Sequence, residues 1–78
     1  ELVYKVSKET YVKIRIFDQS NRLVREIQKY AYRMPNTAYC DFWDGRLADG
    51  TPVANGLYYI RLELDDGSFE IYPIYVRK

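Results

Sequence analysis

The chain has 78 residues, with 12 basic and 11 acidic side chains, a net charge of +1 at pH 7, no histidine and one cysteine. A chain this short buries only about 60% of the surface its unfolded form exposes, which leaves one modest core and little room for a deep cleft. Balanced, interspersed charge predicts no strong field toward nucleic acid or an anionic membrane. The missing histidines remove Ser-His-Asp and Cys-His nucleophiles and histidine-ligated zinc.

A hydrophobic fraction of 47% argues against disorder, and the 17% of aromatic residues comes mostly from nine tyrosines, which suit strands. With Cys40 alone, no intrachain disulfide forms; a lone thiol in a short apolar strand is expected to be a small buried hydrophobe. No apolar run reaches the roughly 18 residues of a membrane span. The sequence opens at Glu1 rather than methionine, so residues 1–78 are expected to be a single module cut from a longer protein.

Leu2, Tyr4 and Val6 form a weak alternating strand, and Val12, Ile14 and Ile16 alternate with Lys13 and Arg15 as a stronger one. Residues 18–21, Asp-Gln-Ser-Asn, make a turn in which Asn21 can take the left-handed conformation. Residues 22–34 are ambiguous. Leu23, Ile27, Tyr30 and Met34 fall at helical spacing before Pro35, yet the short preceding turn favours a hairpin strand through about Ile27, followed by an irregular return. Whether residues 30–38 are strand or loop stays open.

Residues 38–43 are a short aromatic strand, with Cys40 and Phe42 on one face and Tyr39, Asp41 and Trp43 on the other. Three turn dipeptides between Asp44 and Gly56 forbid a long regular element there. In residues 57–64, Tyr58, Ile60, Leu62 and Leu64 face one way and Leu57, Tyr59, Arg61 and Glu63 the other. Residues 65–67 form a three-residue hairpin loop closed by Gly67. The last strand contains Pro73, so it lies at an edge or is bulged there. A bulge would place Phe69, Ile71, Ile74 and Val76 together on the core face.

Six or seven short strands with turns between them predict an all-β fold, a small antiparallel sandwich of the immunoglobulin or fibronectin type III kind. Trp43 is expected in the seam between its layers, because a ring this large dominates a small core. Asp44, Asp49 and Asn55 could offer oxygens to calcium, but their spacing does not fit a twelve-residue calcium loop, and such residues form turns in their own right. Asp41 and Asp44 are the nearest thing to an acid/base pair, in a chain too small for the cleft such chemistry needs. The expectation is therefore no catalytic residue, metal or cofactor. Tyr30 and Tyr32, with Tyr11 or Tyr59, make a possible interaction platform for protein or carbohydrate. Lys13 and Arg15, with Arg25 or Arg61 nearby, form a basic stripe interleaved with Glu26, Glu63 and Glu70.

The segments VKIRIFDQSNRLVREI (12–27) and WDGRLADGTPVANGLYYIRLEL (43–64) resemble the immunoglobulin-like domain of bacterial flagellar hook-cap proteins and related C-terminal modules of secreted bacterial proteins. The resemblance is carried by Asp18, Arg22-Leu23-Val24, Trp43-Asp44-Gly45, Gly50, Val53 and Gly56-Leu57-Tyr58, with Asn21 where the family often has glycine. It implies strand for residues 22–28 and a fold-making role for Trp43, Asp44, Gly45, Gly50, Val53, Gly56 and Tyr58. It also implies an extracellular, cell-surface or periplasmic accessory module. Such a module would act as spacer, docking unit or type IX sorting signal, with neighbouring domains, other subunits or secretion machinery as partners. Carbohydrate binding through the exposed tyrosines is the alternative.

Overall fold

A computed structural model describes residues 2–78, and all of its regular structure is β. The strands are β1 (Leu2–Tyr4), β2 (Thr10–Phe17), β3 (Leu23–Arg33), β4 (Tyr39–Asp41), β5 (Gly56–Leu64) and β6 (Phe69–Val76). They form two antiparallel sheets, one of four strands in the order β3-β2-β5-β6 and one of two, β1-β4. The architecture is a small two-layer β-structure, as the alternation of apolar residues predicts.

The buried layer follows from period-two patterning. Val12, Ile14 and Ile16 of β2 and Tyr58, Ile60 and Leu62 of β5 are buried in the centre of the large sheet. Leu2 and Tyr4 of β1, with Val6 and Val53, complete the core, and Trp43, Leu47 and Tyr39 pack against it. Thr10, the one buried polar residue among those described, is satisfied at the end of the core: its hydroxyl donates to Asp65 Oδ1 at 3.0 Å and accepts from the Asp65 amide at 3.3 Å.

The ambiguous segment 22–34 is a strand, and a longer one than expected, running to Arg33. Eight residues of β2 lie opposite eleven of β3, and the surplus is taken up at register shifts flanking Ile14 and before Phe17. Each bulge shifts the facing parity by one. The residues of β3 that pack inward are therefore Val24, Ile27 and Ala31, at steps of three and four. That is the spacing of a helix face, produced by a bulged strand. Of the residues that suggested a helix only Ile27 turns inward, whereas Leu23, Tyr30 and Met34 are exposed.

Two further expectations fail. Phe69 and Ile71 are exposed, and no bulge occurs at Pro73: the register from Glu63↔Phe69 to Gly56↔Val76 runs without a shift. β6 is an edge strand, where a missing donor need not break a ladder, so parity holds and Tyr72, Ile74 and Val76 face the core. Cys40 is exposed rather than buried. It shares its face with Phe42, as alternation requires, but that face points away from the core while Tyr39, Asp41 and Trp43 turn toward it.

The turns behave as their residues dictate. Asn21 has φ 63° and its amide donates to the Asp18 carbonyl at 3.0 Å. Gly67 has φ 88° in the β5–β6 hairpin, where the Leu64 amide donates to the Ser68 carbonyl at 2.8 Å.

Candidate interaction surface

The loop from Asp44 to Asn55 is a folded element that uses its own oxygens. The Leu47 amide donates to the Thr51 carbonyl at 2.8 Å and the Val53 amide to the Gly45 carbonyl at 3.0 Å, with an isolated bridge between Arg46 and Pro52. Asp44 Oδ1 accepts from the Arg46 amide at 3.0 Å and from Arg25 Nη1 at 3.1 Å, and Asp49 Oδ1 accepts from the Thr51 amide at 2.9 Å. The Thr51 amide holds the Asp49 carboxyl below its ordinary range. Asn55 Oδ1 accepts from the Lys78 amide at 3.2 Å. The three potential calcium ligands thus serve turns and the chain end, and they do not converge.

Trp43 stands at the base of this loop. Its ring meets Tyr58 edge-to-face at 5.3 Å and its Nε1 donates to the Arg46 carbonyl at 2.9 Å, so the indole fixes the loop to the core edge. Tyr58 donates to the Ala54 carbonyl at 2.7 Å, and Val53 is buried. Gly45 and Gly50 have positive φ in the turns of this loop, and Gly56 has φ 149° where β5 begins. Trp43, Asp44, Gly45, Gly50, Val53 and Tyr58 therefore build this loop and its seat.

Asp41 does something the sequence did not disclose. Its Oδ2 accepts from the Tyr4 hydroxyl at 2.7 Å, its Oδ1 accepts from Gln28 Nε2 at 2.8 Å, and Arg33 Nη2 lies 3.5 Å away. Arg33 Nε also donates to the Tyr4 hydroxyl at 2.8 Å, and its guanidinium lies over the Tyr39 ring at 4.5 Å. This cluster ties the β1-β4 sheet to β3 across the layers. Burial, with the Asp41 carboxylate beside it, pushes the Tyr4 hydroxyl up to about 12, against a donated bond from Arg33 that works the other way. Both oxygens of Asp41 are engaged, and Asp44 is tied to Arg25. The sequence held one signal for the cluster: alternation put Asp41 on the same face as Tyr39 and Trp43, an inward acid that needs partners.

The outer face of the four-stranded sheet, turned away from the β1-β4 layer, holds the remaining candidates in three zones. At one end Tyr11 and Tyr30 stack in parallel, with centroids 4.3 Å apart and planes 3° from parallel, and Tyr32 meets Tyr11 edge-on at 5.5 Å. Tyr32 donates to Glu9 at 2.7 Å, which raises its hydroxyl above the ordinary range. In the middle, Lys13, Arg15 and Arg61 converge on the Glu63 carboxylate at 3.8, 3.6 and 3.1 Å. Arg25 is not part of this zone, because it reaches the loop instead. At the other end Phe17, Tyr59 and Ile71, with Asn21 and Arg61, line a shallow depression of about 230 Å³.

Tyr59 is therefore separated from the other three tyrosines by the ion cluster. The stack of Tyr11 on Tyr30 also covers one face of each ring, so these two rings do not lie side by side. The sequence reading missed Phe69, Ile71 and Tyr75, which are 51, 54 and 76% exposed on the outer face of β6, because it assigned the first two to the core. A second concavity, a groove of about 340 Å³, runs between the β1 edge and β6, with Val3, Lys5, Val6, Leu62, Leu64 and Tyr72 among its walls. No group of three or more His, Cys, Asp or Glu side chains that could hold a metal converges among the described residues.

Comparison with protein-family models, with curated proteins and with solved structures returns no match.

Proposed function

We propose that the chain is a noncatalytic, immunoglobulin-like or fibronectin-like accessory module of a secreted or cell-surface bacterial protein. It serves as a docking unit and spacer whose outer sheet face meets neighbouring domains, sibling subunits or a secretion machine. The observation that carries this reading is the row of Phe69, Ile71 and Tyr75, each more than half exposed on one face of an edge strand. Soluble domains seldom leave large apolar groups in contiguous rows unless something covers them. The residues of the Trp43-Asp44-Gly45 loop support the finer fold and the bacterial setting through the resemblance noted above.

Contact by docking needs a stiff face and exposed side chains rather than reacting groups. Stiffness comes from the unbroken β2-β5-β6 registers beneath that face. The test is site-specific photo-cross-linking in cells that make the parent protein, with the cross-linker at Ile71 or Tyr75 and, as control positions, at Ser20 or Ala48. Discrete protein adducts from the first pair only are expected. Adducts at none of the four positions, or equally at all, would contradict a dedicated face.

A further inference from the structure

We infer that the outer face of the four-stranded sheet recognises an acidic protein segment, with an aliphatic or aromatic side chain seated between Phe17, Tyr59 and Ile71 and a neighbouring carboxylate taken by Arg61 and Arg15. The inference rests on the docking reading above and names the partner's chemistry.

Three observations carry it. First, three cations share the single carboxylate of Glu63 at 3.1–3.8 Å. The other outer-face acid nearby, Glu26, is on β3 opposite Arg15. The outward residues of β6, of which Ile71 lines the depression, are Phe69, Ile71, Pro73 and Tyr75, and none is acidic. Positive charge is thus in excess on the side where the apolar row is exposed.

Second, the two guanidiniums have donors to spare. Nε of Arg15 and Nε of Arg61 are shielded from solvent with no hydrogen-bond partner. A carboxylate accepts two parallel N–H donors from a guanidinium edge, so an incoming Asp or Glu supplies what Glu63 alone does not.

Third, the guanidiniums are held over rings, Arg61 Cζ at 4.3 Å from the Phe69 centroid and Arg15 Cζ at 5.8 Å from that of Phe17. Stacking limits their freedom before binding, so less ordering is required when a partner arrives. A second copy of the same face is the wrong occupant, because apposing two such faces brings the cation clusters together. A membrane surface is wrong in shape, because the basic groups are flanked by Glu63 and recessed between rings rather than spread as a polybasic patch.

The experiment is an amide-shift NMR titration of the 78-residue chain with three blocked decapeptides. One alternates Asp and Glu with Leu and Phe, one carries Asn and Gln in place of the acids, and one carries Lys. Saturable shifts at Phe17, Tyr59, Arg61 and Ile71 are expected with the acidic peptide alone. Binding should weaken at least about tenfold in Arg15→Met/Arg61→Met and should fall as salt rises. Should the double variant lose its fold, Arg61→Lys keeps the charge and removes the fork, and about threefold or greater weakening is expected. Equal binding of the neutral peptide overturns the inference, as do shifts confined to the groove between β1 and β6, or equal binding of dextran sulfate. No binding of the acidic peptide also overturns it. If cross-links still form at Ile71 and Tyr75 in that case, docking stands with a different partner; if they do not, both fail.

Discussion

Replacing Asp41 by alanine tests the account of how the two layers are joined. The side chains of Asp41 and Arg33 are only 9 and 16% exposed, and Asp41 accepts from both Tyr4 and Gln28. Removing one member of a buried ion pair costs about 3–5 kcal/mol, because the partner charge is left without compensation. Arg33 retains a little solvent and its stacking on Tyr39, so the lower end applies, about 3 kcal/mol. A 78-residue domain has roughly 4–12 kcal/mol of stability at 0.05–0.15 kcal/mol per residue, so this loss is a large fraction of the whole. Urea unfolding followed by the fluorescence of Trp43 reads it as a lower midpoint at constant slope. Asp44→Ala is the control, since its side chain is 57% exposed and its bonds to Arg25 and to the Arg46 amide are worth about 1 kcal/mol each or less. If Asp41→Ala costs under about 0.5 kcal/mol, or no more than Asp44→Ala, the cluster does not join the layers and the reasoning is wrong.

Stability should also fall at alkaline pH. The Tyr4 hydroxyl is raised to about 12 by burial, and Tyr72 reaches about 12 through the hydroxyl it donates to Glu70, against 10.0 for a free tyrosine. A folded-state value above the unfolded one means that the folded chain holds its proton longer; the contribution is complete below pH 10 and is lost as pH climbs from 10 toward 12. Tyr4→Phe should flatten that alkaline limb in a pH series of urea midpoints, and an unchanged slope would contradict the assignment. At Gly67 a Cβ would meet nothing within 4 Å, so Gly67→Ala should cost only the strain of φ 88°, about 1 kcal/mol, and Gly67→Asn less. Equal losses for the two variants in thermal melts would show that backbone conformation is not the cause.

The parts of this fold set by period-two alternation were legible in the sequence, and the parts set by parity breaks were not. Val12, Ile14, Ile16, Tyr58, Ile60 and Leu62 alternate without interruption and are all buried. In β3, bulges displace the inward residues to a spacing that a helix would share, and the strand is argued by the short Asp18–Asn21 turn and by the resemblance over residues 22–28 rather than by the apolar pattern. At Pro73 the sequence allows an edge position or a bulge; the edge position holds, proline sits in register, and without the parity shift Phe69 and Ile71 face outward. The Asp41 cluster depends on three strands meeting, which no local pattern encodes, and the separation of Tyr59 from Tyr11, Tyr30 and Tyr32 depends on cross-strand register.

The central claim is that the apolar row on β6 is exposed for contact and contributes little to folding. The unfolding free energy of the double variant Ile71→Ser/Tyr75→Ser measures this directly. Cross-strand pairing on an outer face is worth about 0.2–1 kcal/mol per pair, so a loss of about 1.5 kcal/mol or less is expected, with near-ultraviolet dichroism preserved. A loss of about 4 kcal/mol or more would place those side chains among the groups that hold the fold together and would remove the reason for assigning them to a partner.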